Sequence, residues 1–594
     1  MIKLCPSEVS FPLSLIFKKC LESGSFPSEW KKANVQPVHK KNSRQSKSNY
    51  RPISLLPIFS KIFEKLIFDK IYSYLIENDL LSKKQSGFRP GDSTINQLLA
   101  ITTEIYKAFE KYQETRAVFL DISKAFDKVW HEGLCFKLKQ NGIDGNLLNI
   151  LKDFLSNRKQ RVVLNGVESD WENIYAGVPQ GSVLGPLLFL VYINDLTENI
   201  TANMKLFADD SSLFIKVRNI DEAQNILMAD LEKITQWANQ WKMQFNPDIT
   251  KQAIEIVFSS KYNKPNHPLL TFNGIPVARS DSTNHLGMHL DEKLSFKKHI
   301  SEAIIKTKNG ISLLKFLAKY LTRSKLDLAY KMHVRPHTEY GDKIFHERST
   351  DLMNLLENLQ KQAALVVAGC WQGTNISKLY KELGWESLSE RRKFHRLTLY
   401  YKILNNNTPQ YLSDLVLPST PTGTNRYMNT FFPYCFTQWQ DIDINVKLSP
   451  SVDKFKLNYI KIMRPPKPKL FGIKDRQGLR LLTRLRVDFS DLRQHRYNHH
   501  FNCLNPTCRC STENETSEHF LIRCPRFTLH RFTLFSNIAS VAPDIIVLAD
   551  DELSSILMFG SPSFNDITNK IILTSTIHFI KISGRFNKIE AYSQ

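Results

Sequence analysis

Cysteine is scarce: the 594 residues hold nine, an odd number, and four of them crowd between Cys503 and Cys524. Such usage excludes a disulfide-built scaffold and suits a reducing compartment. Long apolar runs are lacking as well. The longest, Leu187 to Ile193, is too short to span a bilayer. The opening Met1-Ile-Lys-Leu-Cys-Pro-Ser-Glu8 has no secretory pattern, and no repeat of solenoid length recurs. These absences predict a soluble protein of nucleus or cytoplasm with no membrane partner. Acid is missing from one whole stretch: Lys31 to Arg51 has seven Lys and Arg and no Asp or Glu.

What is present is a basic, globular composition. Hydrophobic residues make up 42% and aromatic residues 11%, ample for packed cores, and the formal charge is +22. The length predicts roughly three to five domains. A second basic stretch, Lys454 to Arg496, holds thirteen Lys and Arg. Trp30, Tyr50, Phe455, Tyr459 and Phe471 interleave with these charges, a pattern that favours contact with nucleic acid over two merely solvated segments.

The chain is organised around Phe207-Ala208-Asp209-Asp210. Apolar flanks on both sides predict a hairpin, with the acid pair and the two following serines as its turn. A third acid, Asp121, ends the apolar strand Ala117 to Leu120, and a helix is predicted at once after it, with Ala125, Phe126, Val129 and Trp130 on one face. Gly177-Val-Pro-Gln180-Gly181-Ser182-Val-Leu-Gly185-Pro186 predicts an irregular loop able to lie against a ligand. Ile58 to Leu81 predicts an amphipathic helix with Phe59, Ile62, Phe63, Leu66, Ile67, Ile71, Tyr74 and Leu75 on one face. Ser93 predicts a helix cap, and Asn165-Gly166 and Asn273-Gly274 predict hairpin turns. Residues 301 to 405 read as mostly helical, and Pro418 to Thr424 as a linker.

Each acid alone reads as a solvated turn or a helix cap. Together at the ends of neighbouring strands they would repel one another and need cations, and hard oxygen ligands select Mg²⁺ or Mn²⁺. Two such ions can clamp the attacking and leaving oxygens of a phosphoryl displacement, which on a basic chain means nucleotidyl transfer or nuclease chemistry. In the tail, Cys508, Cys510, His519 and Cys524 are favoured as a Zn²⁺ set over one using Cys503, because His519-x₄-Cys524 is well spaced and Cys503-x₄-Cys508 is wide.

The order of motifs carries more than any one of them. Tyr50-Arg-Pro-Ile-Ser54, Gln85-Ser-Gly-Phe-Arg89, Phe119-Leu-Asp121-Ile-Ser-Lys-Ala-Phe126, Gly177-Val-Pro-Gln-Gly-Ser182, Phe207-Ala-Asp-Asp210 and Asn246 to Lys251 resemble the reverse transcriptases of non-LTR (LINE-type) retrotransposons, of the CR1/Jockey-like branch. Glu515-Thr-Ser-Glu-His519-Phe-Leu-Ile-Arg-Cys524 resembles the Cys/His motif that ends many of these reading frames.

The resemblance implies an α+β fold, a right-hand polymerase. Fingers would occupy residues 1–115, a palm with an antiparallel sheet 116–300, and a helical thumb and connection 301–416. A linker and basic region would fill 417–500 and a small Cys/His zinc-binding tail 501–594. It implies an RNA template, a DNA primer or target and deoxynucleotides as partners. Asp121 and Asp209 would hold Mg²⁺, with Asp210 in support and Lys251 as general acid. Phe126 would screen the sugar 2′ position, Gln180 and Gly181 would lie against the incoming nucleotide and template, and Arg51 would meet the triphosphate. His285 to Leu290 would grip the primer. Ser86 stands where the family often has an aromatic residue. The start of the chain so near the fingers predicts a truncated copy without an endonuclease. A catalytically idle nucleic-acid-binding remnant and a group II intron maturase-like or telomerase-like polymerase are the alternatives.

Overall fold

The structure, a computed structural model, describes residues 6–40, 43–246, 248, 252–263, 265–345, 350–463, 469–470, 472–499, 501 and 503–586. The chain divides into two units, Met1–Ser295 with Asn406–Pro433, and Phe296–Asn405 with Tyr434–Gln594.

Fourteen strands are found among the described residues, all in the first unit. In chain order they are β1 Lys32–His39, β2 Tyr50–Leu55, β3 Glu114–Asp121, β4 Arg158–Leu164, β5 Val167–Glu168, β6 Glu172–Ile174, β7 Asn203–Phe207, β8 Asp210–Val217 and β9 Ala253–Phe258, then β10 Thr271–Phe272, β11 Ile275–Pro276, β12 Ala278–Arg279, β13 Ser282–His285 and β14 Met288–Asp291. The main sheet has the order β12-β9-β3-β8-β7 and is antiparallel except at the β12–β9 edge. A second sheet joins β2, β1, β4, β5 and β6.

β3 is the axis of the main sheet. Every residue from Glu114 to Leu120 is buried, because helices Thr94–Glu110 and Ile220–Gln240 pack on the sheet and hide the strand from water. Its charged residues are matched. Arg116, fully buried, donates to Glu255 Oε1 at 2.7 Å, to Gln224 and to the Pro268 carbonyl. Glu114 faces His267 at 3.0 Å. Such pairs cost several kcal/mol to dehydrate, a cost that their mutual hydrogen bonds offset.

The predicted local devices are present. Ser93 Oγ accepts from the Asn96 N–H. Asn165 and Gly166, with φ of +51° and +82°, turn β4 into β5, and Asn273-Gly274 does the same for β10 and β11. Three predictions need correction. The segment after Asp121 is a short 3₁₀ turn, Ala125–Lys128, and the α-helix begins only at His131. The helix Ile58–Glu77 buries Phe63, Ile67, Ile71 and Leu75 but leaves Phe59, Leu66 and Tyr74 exposed, so its core stripe is narrower than its apolar surface. The hairpin turn is made by Ala208 and Asp209, and Asp210, Ser211 and Ser212 already belong to β8.

The second unit is helical. Helices Lys297–Leu317 and Thr350–Ala368 pack together, and Glu382 accepts from two buried guanidiniums, Arg323 at 2.7 Å and Arg486 at 3.1 Å. The aromatic residues of the second basic stretch belong to this interior. Phe455 and Tyr459 are buried against Leu397 and Tyr401, so they do not present a stacking surface to nucleic acid. In the first unit Trp30 likewise packs against Phe26 and Phe63. Phe471 lies outside the described residues. No helix among the described residues is long and apolar enough to cross a membrane.

Candidate active site and metal centre

Pairing register builds the acid site. In the β3–β8 ladder Asp121 stands opposite Asp210, and in the β7–β8 ladder Phe207 stands opposite the same Asp210. Asp209 sits between, in the two-residue turn. Ala208 takes φ of +55°, a left-handed conformation that costs an alanine about 1–2 kcal/mol.

The turn is held from outside. Gln85 Oε1 accepts the Ala208 N–H at 2.9 Å and the Gly87 N–H at 2.7 Å. The Ser86 N–H donates to the Leu206 carbonyl, and the Leu206 N–H to the Lys84 carbonyl, both at 2.9 Å. Gly87 has no room for a side chain, since a Cβ there would lie 2.2 Å from the Ala208 nitrogen. The Gln85-Ser-Gly segment is thus a clasp on the acid turn. The sequence hides this role of the motif, because Gln85 and Ala208 are far apart in the chain.

Two of the carboxylates, Asp209 and Asp210, are raised. Asp210 is pushed up to about 6, first by the loss of hydration around its carboxylate and then by the charges of Asp209 and Asp121. Burial also raises Asp209. A backbone hydrogen bond opposes that rise, Asp121 adds to it, and Lys40 and Arg51 counter it with positive charge. Asp121 Oδ2 accepts from Asn246 Nδ2 at 2.6 Å, and the Asn246 N–H donates to the Asp121 carbonyl. Crowded like charges pushed toward their neutral form, on hard oxygen donors, suit a divalent cation. The three carboxylates are not gathered as tightly as the Cys/His group below. Lys40 and Asn246 were not singled out as site residues by sequence, although both lie in segments it flagged.

The glycine loop is fastened beside this turn. The Val178 N–H donates to the Phe126 carbonyl at 2.8 Å, and the Ser54 N–H to the Gln180 carbonyl at 2.7 Å. Gly181 has φ of +116°, and a Cβ there would lie 2.6 Å from the Ser54 carbonyl oxygen. Gln180 Nε2 donates to Asp127 Oδ1 at 2.8 Å. Arg51 is exposed on β2, three residues before Ser54, so the loop and the arginine share one strand as anchor. The Phe126 ring stacks on Phe189 at 4.5 Å, meets Phe88 edge-on at 5.7 Å and keeps part of its surface open. Val129 is fully buried by contrast. Leu286 and Gly287 turn β13 into β14, and buried His285 packs on Phe119 at 4.9 Å. Burial pushes His285 down to about 4. Lys251 lies outside the described residues.

The second unit holds the Cys/His group. Ligand atoms of Cys508, Cys510, His519 and Cys524 all lie within 4.8 Å of one another. Cys508 Sγ is 3.7 Å from Cys524 Sγ, and Cys510 Sγ is 3.3 Å from His519 Nε2. His519 Nδ1 meets Glu513 at 2.7 Å, the carboxylate–histidine arrangement that fixes a ligand imidazole. Cys503 is not part of the group, its thiol turning to the Asn505 and Arg493 carbonyls. Two or three thiolates with one imidazole are the donors of structural zinc, and this set fits it.

Known proteins resemble the chain over the residues that hold the acid site. Residues 38–290 match the family described as reverse transcriptase (RNA-dependent DNA polymerase). The chain is 29% identical, over 436 residues, to the probable RNA-directed DNA polymerase from transposon X-element of Drosophila melanogaster, a match covering 72% of this chain and 47% of that one. It is 30% identical over 382 residues to the RNA-directed DNA polymerase from mobile element jockey of the same species, covering 62% and 41%. The chain thus spans about half the length of the curated relatives it matches. Among solved structures, apo telomerase from Candida tropicalis gives a TM-score of 0.38 at 9% identity over 69% of this chain and 68% of that one, too slight a likeness to argue from. By its family match and its relatives, the chain carries over residues 38–290 a reverse transcriptase domain of the non-LTR retrotransposon type.

Proposed function

We propose that this chain is an RNA-directed DNA polymerase, adding deoxynucleotides to the 3′-hydroxyl of a DNA primer on an RNA template. One observation carries the reading: Asp121 faces Asp210 across β3 and β8, with Asp209 in the adjoining turn. Magnesium, held by Asp121 and Asp209, would supply charge to the attacking and leaving oxygens. The protein's own part is positioning and charge. Asp210 supports the pair from the strand end. Lys40 and Arg51, whose charge reaches Asp209, suit the triphosphate. The open side of Phe126, backed by Phe189, would crowd a sugar 2′-hydroxyl and favour deoxynucleotides. Gln180 is fixed by Asp127 and would line the base or template side. Lys251 keeps its proposed place as general acid. The Cys508, Cys510, His519 and Cys524 group would take zinc and add a nucleic-acid-binding element, which the net charge of +22 favours.

Primer extension on an RNA template tests the reading. The wild-type chain should extend the primer with deoxynucleotides and Mg²⁺, and Asp209→Ala should not. Extension by Asp209→Ala at the wild-type rate would overturn the two-metal assignment, and absence of extension by the wild type would leave an idle nucleic-acid-binding remnant.

A further inference from the structure

Residues 406–433 return to the first unit after the helices of the second. Both ends of this return segment are tied down there. Glu110 accepts from the Thr424 N–H at 2.9 Å and from its hydroxyl at 2.5 Å. Arg426 lies over the Phe109 ring at 4.7 Å. Near its start the short helix Gln410–Ser413 packs on Thr94–Glu110 and buries Leu412 completely.

Tyr411 is on that short helix, and its side chain reaches both partners of the acid turn. Its hydroxyl donates to Asp92 Oδ1 at 2.8 Å, and Ser86 Oγ lies 3.5 Å from the Tyr411 hydroxyl oxygen. Its ring lies under the Lys205 ammonium at 5.0 Å. Ser86 belongs to the clasp and Lys205 to β7, the strand that leads into Ala208 and Asp209. Asp92 also accepts the Ser93 N–H at 2.7 Å, which ties the hydroxyl to the start of helix Thr94–Glu110. Tyr411 therefore bridges the two pieces that meet as Gln85 and Leu206 beside the turn.

From this geometry we infer that Tyr411 is a positioning residue for the acid site: it pins the clasp against β7 and so fixes Asp209, which rests on the polymerase reading only for its consequence in catalysis. The physical reason is leverage. Ala208 occupies a costly backbone conformation, and the turn keeps it only while Gln85 stays in place. The Gln85 segment is itself a loop, and a loop needs packing and hydrogen bonds behind it to hold a carboxylate within the tolerance a metal site demands. Tyr411 supplies that support from a remote part of the sequence.

The test uses the full chain with zinc supplied, and reads Mn²⁺ affinity by electron paramagnetic resonance with primer extension measured beside it. Tyr411→Phe keeps the ring and removes the hydrogen bond, Asp92→Ala removes its acceptor, and Tyr411→Ala removes both ring and bond. Asp209→Asn is the control that should lose the site. Tyr411→Ala should weaken Mn²⁺ binding by about ten- to a hundredfold, with unchanged far-ultraviolet dichroism. Tyr411→Phe and Asp92→Ala should each weaken it less, and the double variant no further than the worse single one. If Tyr411→Ala does not fold, the other two carry the test. Wild-type Mn²⁺ affinity in Tyr411→Phe and Asp92→Ala, additive effects in the double variant, or no Mn²⁺ binding by the wild type would each overturn the inference. A wild type that binds Mn²⁺ but extends no primer would sink the polymerase reading alone, since the affinity shifts would still report the pin.

Discussion

Asp121 and Asp210 are cross-strand partners, the last residue of one buried strand set opposite the first residue of the next. With Asp209 in the turn beside them, three carboxylates share the end of one sheet, and loss of hydration first, then the charge of neighbouring carboxylates, raises Asp209 and Asp210.

The raised Asp210 gives a pH dependence with a definite sign. Asp210 rises from an ordinary 3.8 to about 6, so the folded protein holds this proton more tightly than the unfolded chain does. Its contribution to stability is full below the ordinary value and is lost as pH climbs through about 6. Asp210→Asn should therefore raise the melting temperature of the metal-free protein at alkaline pH and not at strongly acidic pH. Mg²⁺ should recover the difference in the wild type, and more Mg²⁺ should be needed as pH falls through 6. Calorimetry across that range with and without Mg²⁺ decides the matter, and equal melting of the two proteins at alkaline pH would refute it.

Gly87→Ala should disable the site without touching an acid. Its new methyl would lie 2.2 Å from the Ala208 nitrogen, with backbone on the other side of the contact, so the turn or the clasp must shift. Overpacking of this kind costs about 1–3 kcal/mol. Urea unfolding should show that loss, and Mn²⁺ titration should show weaker binding than in the wild type. A variant with wild-type affinity would mean the clasp does not hold the turn.

Phe126→Val should relax sugar selection. The smaller side chain would leave space above Phe189 where the ring now stands. Incorporation of ribonucleotides relative to deoxynucleotides should rise by about tenfold or more, the range over which pocket shape discriminates small groups. The measurement is single-nucleotide extension with each substrate. An unchanged ratio would reduce Phe126 to a packing residue between Phe88 and Phe189.

Zinc should be bound by four named side chains and not by a fifth. Cys508→Ser and Cys524→Ser should lose the metal, while Cys503→Ser should keep it, because Cys503 turns to backbone carbonyls outside the group. Chelation should lower the melting temperature, since ligands that assemble only in the fold make metal affinity part of folding energy. Atomic absorption on the purified chain counts the metal, and full zinc content in Cys524→Ser would refute the assignment.

Much of the candidate site is legible in the sequence. Asp121, the acid pair, the glycine loop and the Cys508–Cys524 group were each visible as local patterns, and the structure brings the members of each group together. The misreadings share a cause. The aromatic residues among the basic charges looked like a nucleic-acid surface, yet Phe455 and Tyr459 fill a helical core. The apolar positions of helix Ile58–Glu77 exceeded what its neighbours cover. The apolar run Ala117 to Leu120 marks only part of β3, which begins at Glu114 and buries Arg116 against Glu255, 139 residues away. Burial depends on the partner as well as the residue.

The sequence by itself determined which groups stand as candidates for chemistry and which turns shape the chain, because capping, alternation and left-handed turns act between near neighbours. Only the tertiary structure decided that Asp121 faces Asp210, that Gln85 and Gly87 clasp Ala208, and that Tyr411 reaches Asp92 and Lys205. Those relations rest on strand register and on contacts hundreds of residues apart, and a one-residue slip in pairing, invisible to local pattern, would turn the acids away from one another.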